Sequence, residues 1–143
     1  MAAGSIEDRL AINDLFVRYT NALDRGDVAT VVDCFTSDAT LESPVIGVIA
    51  GTQAIRAFAE RFAAQLAAGQ QFRQMITNIA AEIAAGGNRA RASAYLLVFI
   101  TRDGKSRRLP PGRYECELVK ERDAWRFSRR TVFHDHDYTL EGI

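Results

Sequence analysis

The first part of the chain has apolar residues at helical spacing. Five of them recur at the 3.6-residue period that places side chains on one face of a helix: Ile12, Leu15, Phe16, Tyr19 and Leu23. Ser5 and Asp8 resemble a capping box in front of this stripe, and Gly26 is a typical helix stop. The pattern predicts a first helix over about residues 6–24.

Two further helices are predicted before Gly69. Asp27 can cap a short helix that runs to about residue 35, and Thr52 can cap a longer helix that runs to about residue 68. The longer helix has its own apolar stripe, formed by Ile55, Phe58, Ala59, Phe62 and Leu66. Short extended pieces around Pro44 separate the two helices.

After Gly69 the pattern becomes typical of strands. Four segments are rich in β-branched and aromatic residues: 71–84, 89–102, 112–121 and 124–137. Turn-forming residues such as Asp103 and Gly104 separate them. Helices followed by strands predict an α+β fold, in which three helices pack on one face of a curved antiparallel sheet and leave a cavity at one end. We expect residues 1–143 to form a single domain.

Composition narrows the functional classes. The chain of 143 residues has 18 Lys and Arg balanced by 18 Asp and Glu, and no basic stripe alternates with aromatic residues, so we expect no nucleic-acid partner. No apolar run approaches the roughly 18 residues that cross a membrane. The two cysteines lie far apart and no signal peptide is evident, so the expected location is cytoplasmic.

Asp24 is a candidate base because of its place in the predicted first helix. It lies in the last turn, five residues after Tyr19. The negative end of the helix dipole disfavours a carboxylate there by roughly 0.3–1 kcal/mol, which raises its pKa and suits a base that works near neutral pH. The alternative is a solvated surface carboxylate balanced by Arg25.

His134 and His136 are the two histidines of the chain. Residues two apart on a strand point the same way, so both rings can reach one ion. Since no third histidine or cysteine has ligand spacing, we predict no metal site, and the absence of a nucleotide motif predicts no cofactor. His134 alone, at the end of the last strand, is more informative than the pair.

Segments from residue 6 to residue 137 together resemble the SnoaL-like branch of the nuclear transport factor 2 superfamily. The segments that carry the resemblance are 12–19, 22–27, 35–39, 51–55, 77–78, 112–115 and 125–130. The resemblance implies a cone-shaped, cystatin-like α+β barrel with an apolar pocket. It also implies a homodimer or homotrimer, because the outer face of the sheet usually pairs in this superfamily. The fold hosts enzymes and non-enzymes alike.

Within this branch the sequence is most similar to the group of scytalone dehydratase, hexachlorocyclohexane dehydrochlorinase and bile-acid dehydratase. There a tyrosine and an aspartate near the end of the first helix meet a histidine on the first long strand, and the Asp–His pair removes a proton. Tyr19 and Asp24 match the first two positions, but Gln74 stands where the relatives have histidine. Arg130 matches an arginine that lines the cavity near the aspartate in some members. By this resemblance Asp24 is also the expected partner of Arg130.

The glutamine leaves three interpretations open, because glutamine forms hydrogen bonds but cannot titrate. Asp24 is the base and Gln74 an orienting residue, or the base has moved to His134, or the proton chemistry is lost and the protein only binds a ligand. The first predicts a cofactor-independent lyase or isomerase, in which Tyr19, Gln74 and Arg130 stabilise developing charge. A hydrolase in which Asp24 activates water is the second enzymatic option.

The expected ligand is a small hydrophobic or aromatic molecule that contains a ring. Large apolar side chains supply the predicted wall of the pocket, since aromatic walls suit such ligands. The predicted ligand-contacting residues are Phe35, Leu41, Phe58, Phe72, Tyr95 and Tyr114.

Overall fold

A computed structural model describes residues 4–140 of the chain, and residues 1–3 and 141–143 lie outside it. In chain order the elements are α1 (Ile6–Arg25), α2 (Val28–Asp33), β1 (Phe35–Ser43), β2 (Gly47–Ala50), α3 (Thr52–Ala67), β3 (Gln71–Ile83), β4 (Arg89–Arg102), β5 (Lys105–Arg108), β6 (Gly112–Glu121) and β7 (Ala124–His134). The predicted order of three helices and four long strands is confirmed.

Local signals set the boundaries of α1. The Ser5 side chain accepts from the backbone N–H of Asp8, and the Asp8 carboxylate accepts from the N–H of Ser5, which completes the predicted capping box. At the other end Gly26 adopts the left-handed conformation with φ 72°, which a glycine reaches without strain. The helix therefore ends one residue after Asp24, and the carboxylate lies in the last turn as predicted.

The other two helices differ from prediction at one end each. Asp27 caps α2 as predicted, but the helix ends at Asp33 because Phe35 begins a strand. Thr52 does not cap α3: it is the first helical residue, the N-cap is Gly51, and the Thr52 hydroxyl donates to the carbonyl of Ser37.

The sheet contains the predicted meander and a parallel pair that was not predicted. Strands β3, β4, β6 and β7 are antiparallel neighbours, and the sheet order is β2-β1-β7-β6-β4-β3 with β5 also paired to β4. Strand β1 pairs with β7 in parallel, with Leu41 opposite Arg130. The sheet is therefore mixed, not purely antiparallel, because the extended pieces around Pro44 join it through a long-range contact.

Two irregularities curve the sheet around the helices. The β3–β4 register shifts between Thr77 and Ala80, where Asn78 has φ 55°, and the β6–β7 register shifts next to Ser128. Bulges of this kind bend a strand and increase its twist. Within residues 4–140 the curved sheet stays open, since β2 and β3 are its edges.

The buried apolar side chains of the helices and of the inner sheet face form one continuous core. Aromatic contacts join the two layers, as in the edge-to-face pair of Phe16 on α1 and Phe127 on β7 with ring centroids 5.2 Å apart. A cavity remains at the end where α1 finishes. Among the described residues no helix is long and apolar enough to cross a membrane.

Candidate functional site

Asp24 and Gln74 form a two-point contact between α1 and β3. The backbone N–H of Gln74 donates to Asp24 Oδ2 at 2.8 Å, and the side-chain Nε2 of Gln74 donates to Asp24 Oδ1 at 3.1 Å. Gln71 Nε2 also donates to the backbone carbonyl of Asp24 at 3.1 Å. The carboxylate therefore has a fixed orientation.

The surroundings of Asp24 change its acidity. The residue is 8 % exposed, and burial raises the pKa of its carboxyl above the ordinary value because it disfavours the charged form. The two hydrogen bonds from Gln74 and the charge of Arg73 act in the opposite direction and only partly offset this effect. The alternative interpretation of Asp24 as a solvated surface carboxylate balanced by Arg25 is therefore contradicted.

The cavity beside this pair is narrow and mostly apolar. Its volume is about 70 Å³, below the roughly 300–1,000 Å³ of typical ligand sites, so a ligand must be small or must displace part of the wall. Tyr19, Gln74 and His134 lie in the wall together with apolar side chains. Two larger depressions of about 480 and 530 Å³ lie on the exposed outer face of the sheet, where both contact Arg91 and Glu117.

Four of the six predicted ligand-contacting residues line the cavity: Leu41, Phe58, Phe72 and Tyr114. Phe35 lies behind the wall, with its ring 5.5 Å from that of Tyr19 and 5.6 Å from that of Phe127. The prediction for Tyr95 is wrong, since this residue is 59 % exposed on the outer face of β4. Strand alternation turns it away from its buried neighbours Ala94 and Leu96.

Arg130 is completely buried, but it is not among the residues that line the cavity and it does not pair with Asp24. Its guanidinium has no hydrogen-bond acceptor among the described residues, and no carboxylate there lies within ion-pair distance. Its Cζ lies 3.6 Å from the ring centroid of Tyr114 and 4.1 Å from that of Tyr19. The expected Arg130–Asp24 pair is a wrong prediction, because Arg130 is enclosed by aromatic rings while Gln74 occupies both carboxylate oxygens.

His134 lies in the cavity wall at the end of β7, whereas His136 is exposed beyond the strand. His134 Nδ1 is buried without a hydrogen-bond partner in residues 4–140, and its Nε2 lies 3.5 Å from the Tyr138 hydroxyl. Burial lowers the pKa of His134, so the ring is neutral and able to accept a proton at neutral pH.

The chain after His134 contributes wall residues that sequence analysis missed. Tyr138 and Leu140 contact the cavity although they follow the last strand. We predicted a strand to residue 137, but β7 ends at His134 and the chain turns back. The spacing of Tyr138 from His134 carried no signal for this contact, because it depends on where the strand stops.

The described part of the chain contains no cluster of three or more His, Cys, Asp or Glu residues that could hold a metal ion. His134 and His136 differ in exposure, and His136 Nδ1 lies 3.1 Å from the carbonyl oxygen of Asp137.

The sequence profile of the SnoaL-like domain matches residues 4–131. The protein belongs to the SnoaL-like family. Comparison with curated protein sequences gives no significant match. The family assignment agrees with the three helices and curved mixed sheet described above.

Solved structures similar to this SnoaL-like protein share the whole fold. A putative aromatic ring hydroxylase from Novosphingobium aromaticivorans is 29 % identical, with a TM-score of 0.78 over 94 % of each chain. Rv3472 of Mycobacterium tuberculosis, a protein of unknown function, is 25 % identical, with a TM-score of 0.81 over 93 % of this chain and 79 % of that one. A Catenulispora acidiphila protein in complex with S-DNPA is also 25 % identical, with a TM-score of 0.78 over 92 % of this chain and 96 % of that one.

Proposed function

We propose that this SnoaL-like protein is a cofactor-independent lyase or isomerase that acts on a small, ring-containing hydrophobic molecule, with Asp24 as the base. The observation that carries the proposal is the buried Asp24 carboxylate, which is held by Gln74, a residue of the cavity wall. Burial raises its pKa, and a base is most effective when its pKa approaches the working pH.

The two oxygens of Asp24 are held differently, and this difference assigns their roles. Oδ2 accepts from a backbone N–H, which fixes the carboxylate, whereas Oδ1 accepts from the Gln74 side chain, which can rotate. Oδ1 is therefore the atom that takes the proton once the Gln74 amide turns to the ligand. Burial raises the pKa of Tyr19, so its hydroxyl stays protonated and can donate to a developing oxyanion.

The same first step serves two reactions. Asp24 breaks a C–H bond next to a carbonyl and leaves the electron pair in an enolate. In an isomerase the proton returns to another carbon of the ligand. In a dehydratase the electron pair forms a C=C bond as the neighbouring C–OH bond breaks, and the proton leaves with the hydroxide as water. Either reaction needs only proton transfer, so no cofactor enters the proposal.

One neighbouring structure, a putative aromatic ring hydroxylase, supports a ring-containing ligand. The apolar wall formed by Leu41, Phe58 and Phe72 suits the apolar character of such a ligand, which must displace part of the wall because the cavity is only about 70 Å³.

Non-catalytic ligand binding is the second candidate function, and one observation favours it. Asp24 is not among the residues that line the cavity, and both of its oxygens accept hydrogen bonds. In a binding protein the pair serves only to join α1 to the Gln74 side of the cavity wall. The cavity then binds the same small molecule without changing it.

Hydrogen–deuterium exchange distinguishes the two functions without knowledge of the natural substrate. Enolisable ring ketones such as cyclohexanone and 2-tetralone are incubated with the protein in D₂O, and proton NMR follows loss of the C–H signal next to the carbonyl. A lyase or isomerase accelerates this exchange above the buffer rate. Ketone binding with exchange no faster than in buffer would support the binding protein instead.

His134 provides the check on the identity of the base. It lines the cavity and is neutral, so it is the alternative proton acceptor. We expect His134→Asn to keep most of the exchange rate. If this variant abolishes exchange while Asp24→Asn keeps it, His134 is the base and the role assigned to Asp24 is wrong.

A further inference from the structure

Arg130 is a fully buried positive charge for which the described structure provides no counter-charge. Its side chain is 0 % exposed, and Nε and both terminal nitrogens have no hydrogen-bond partner in residues 4–140. Four aromatic rings surround the guanidinium, with centroids 3.6 to 5.4 Å from Cζ: Tyr114, Tyr19, Phe127 and Phe16. Cation–π contacts favour this position, but they leave the positive charge uncompensated.

No group near Arg130 within residues 4–140 supplies a negative charge at neutral pH. The titratable groups that face it are Tyr19 on α1, Cys34 before β1, and Tyr114 and Cys116 on β6. Burial raises the pKa of both thiols to about 11 and also raises the pKa of both tyrosines, so all four are neutral. Tyr114 and Cys116 lie near the guanidinium and interact with it, but both are neutral and do not balance its charge.

Two of these groups connect the charge to the cavity. Tyr19 and Tyr114 contact the guanidinium with their rings and also line the cavity. A positive charge in a buried, weakly polarisable environment acts over a longer distance than it does in water. The electrostatic potential is therefore positive at the end of the cavity where these two tyrosines lie. The Asp24 carboxylate, on the side of Gln74, makes the potential less positive there.

We propose that the ligand is an acidic phenol or enol that binds as its anion, with the charged oxygen at Tyr19 and Tyr114 and with Arg130 as a positioning residue that acts through these two rings. This rests on the proposed function, because the enolate formed by proton abstraction carries the same charge on the same kind of oxygen. The anion supplies the compensation that the protein itself lacks. A neutral ligand of equal size gains nothing from Arg130.

Binding of 4-nitrophenol tests the proposal, since its phenol and phenolate forms absorb at different wavelengths. The matched neutral probe is 4-nitroanisole, which has a methyl ether in place of the hydroxyl. We expect the bound phenol to be ionised at a pH where the free phenol is mostly neutral. A pKa lowered by one unit corresponds to about tenfold tighter binding of the phenolate than of the phenol.

Neighbouring arginines supply the control. Arg130→Met keeps the volume and should remove the phenolate preference, about tenfold, whereas Arg129→Met should keep it because Arg129 is exposed beside Glu42. If Arg130→Met does not fold, the wild-type titration and Tyr114→Phe decide, and Tyr114→Phe should weaken the preference. A bound phenol whose pKa is unchanged or raised, equal binding of the ether, or no binding of the phenolate would overturn the proposal.

The result of this binding experiment is independent of whether the proposed reaction occurs. It measures the ionisation of a bound probe and needs no turnover. Phenolate preference without deuterium exchange would contradict the catalytic proposal alone, and exchange without phenolate preference would contradict the anionic ligand alone.

Discussion

Two aspartates at opposite ends of α1 have opposite surroundings. Asp8 lies in the first turn, where its Oδ1 accepts from Trp125 Nε1 and from Lys120 Nζ, each at 2.9 Å. These hydrogen bonds lower the pKa of Asp8, and the bond from Trp125 has the larger effect. Asp24 lies in the last turn, where burial raises its pKa and, among the described residues, Gln74 alone donates to its carboxylate.

The difference shows how one helix carries a structural acid and a candidate base. Donors that favour the charged form keep Asp8 ionised, so it joins α1 to the β6–β7 hairpin but holds no proton at neutral pH. Burial against an uncharged glutamine moves Asp24 toward the protonated form. Pairs of titratable groups whose environments separate their pKa values are how a fold assigns acid–base roles.

Removing the charge of Asp24 is the strongest test of this contrast. Asp24→Asn keeps the size of the side chain and removes the base, so we expect the deuterium-exchange rate to fall by about 10²–10⁴-fold. Asp14→Asn, an exposed position of the same helix, is the control and should leave the rate unchanged. An Asp24→Asn variant as fast as Asp14→Asn contradicts the assignment.

The second largest effect is expected in the pH dependence of the deuterium-exchange rate. Because burial raises the pKa of Asp24, the active carboxylate form is lost as the pH falls through a value above the ordinary aspartate pKa of about 3.9. We expect the rate to decrease about tenfold per pH unit below that value. A rate that stays constant down to the ordinary aspartate pKa argues against a buried base.

Changes at Gln74 should have smaller effects than loss of the carboxylate. Gln74→Ala removes the hydrogen bond to Oδ1 but keeps the backbone bond to Oδ2, so we expect about a tenfold loss of exchange rate. The acidic limb of the pH profile should also move to higher pH, because the lost bond lowers the pKa of Asp24. Gln74→His should keep or raise the rate, and a loss as large as that of Asp24→Asn would show that Gln74 is more than an orienting residue.

We expect the smallest effect on the deuterium-exchange rate at Asp8, because a substitution there changes the stability of the fold and not the base. Asp8→Asn should lower the midpoint of thermal unfolding at neutral pH and leave the exchange rate intact. Since the folded-state pKa of Asp8 is lowered, its contribution is present above the unfolded-state pKa and disappears as the pH falls through the folded-state pKa. The variant and the wild type should therefore become equally stable in acid, and a constant difference would contradict this role.

Features set by local sequence were predicted well. The capping box of Ser5 and Asp8, the stop at Gly26 and the Asp103-Gly104 turn of the β4–β5 hairpin depend on neighbouring residues only. The parallel pairing of β1 with β7 depends on residues about ninety positions apart, and no local pattern encodes it. The contact between Asp24 and Gln74 was inferred by resemblance, since their separation of fifty residues carries no periodic signal.

The alternation of inward and outward side chains along β7 is interrupted by a bulge. Trp125 and Phe127 face inward, and strict alternation places Arg129 inward as well. The register shift beside Ser128 turns Arg129 outward and Arg130 into the core. Resemblance, not periodicity, had selected Arg130. At Tyr95 the alternation along β4 holds. The prediction for this residue was wrong because it relied on the apolar character of the side chain, which does not indicate the face of the strand on which it lies.

Titration of both carboxyl groups by carbon NMR in a single sample tests the central claim most directly. Aspartates labelled with ¹³C at the carboxyl are followed over the acidic range, with Asp24→Asn and Asp8→Asn used to assign the signals. The account predicts that Asp24 titrates above the ordinary aspartate pKa of about 3.9 and Asp8 below it. Equal pKa values, or an Asp24 that titrates below Asp8, would contradict the division of one helix into a structural acid and a base.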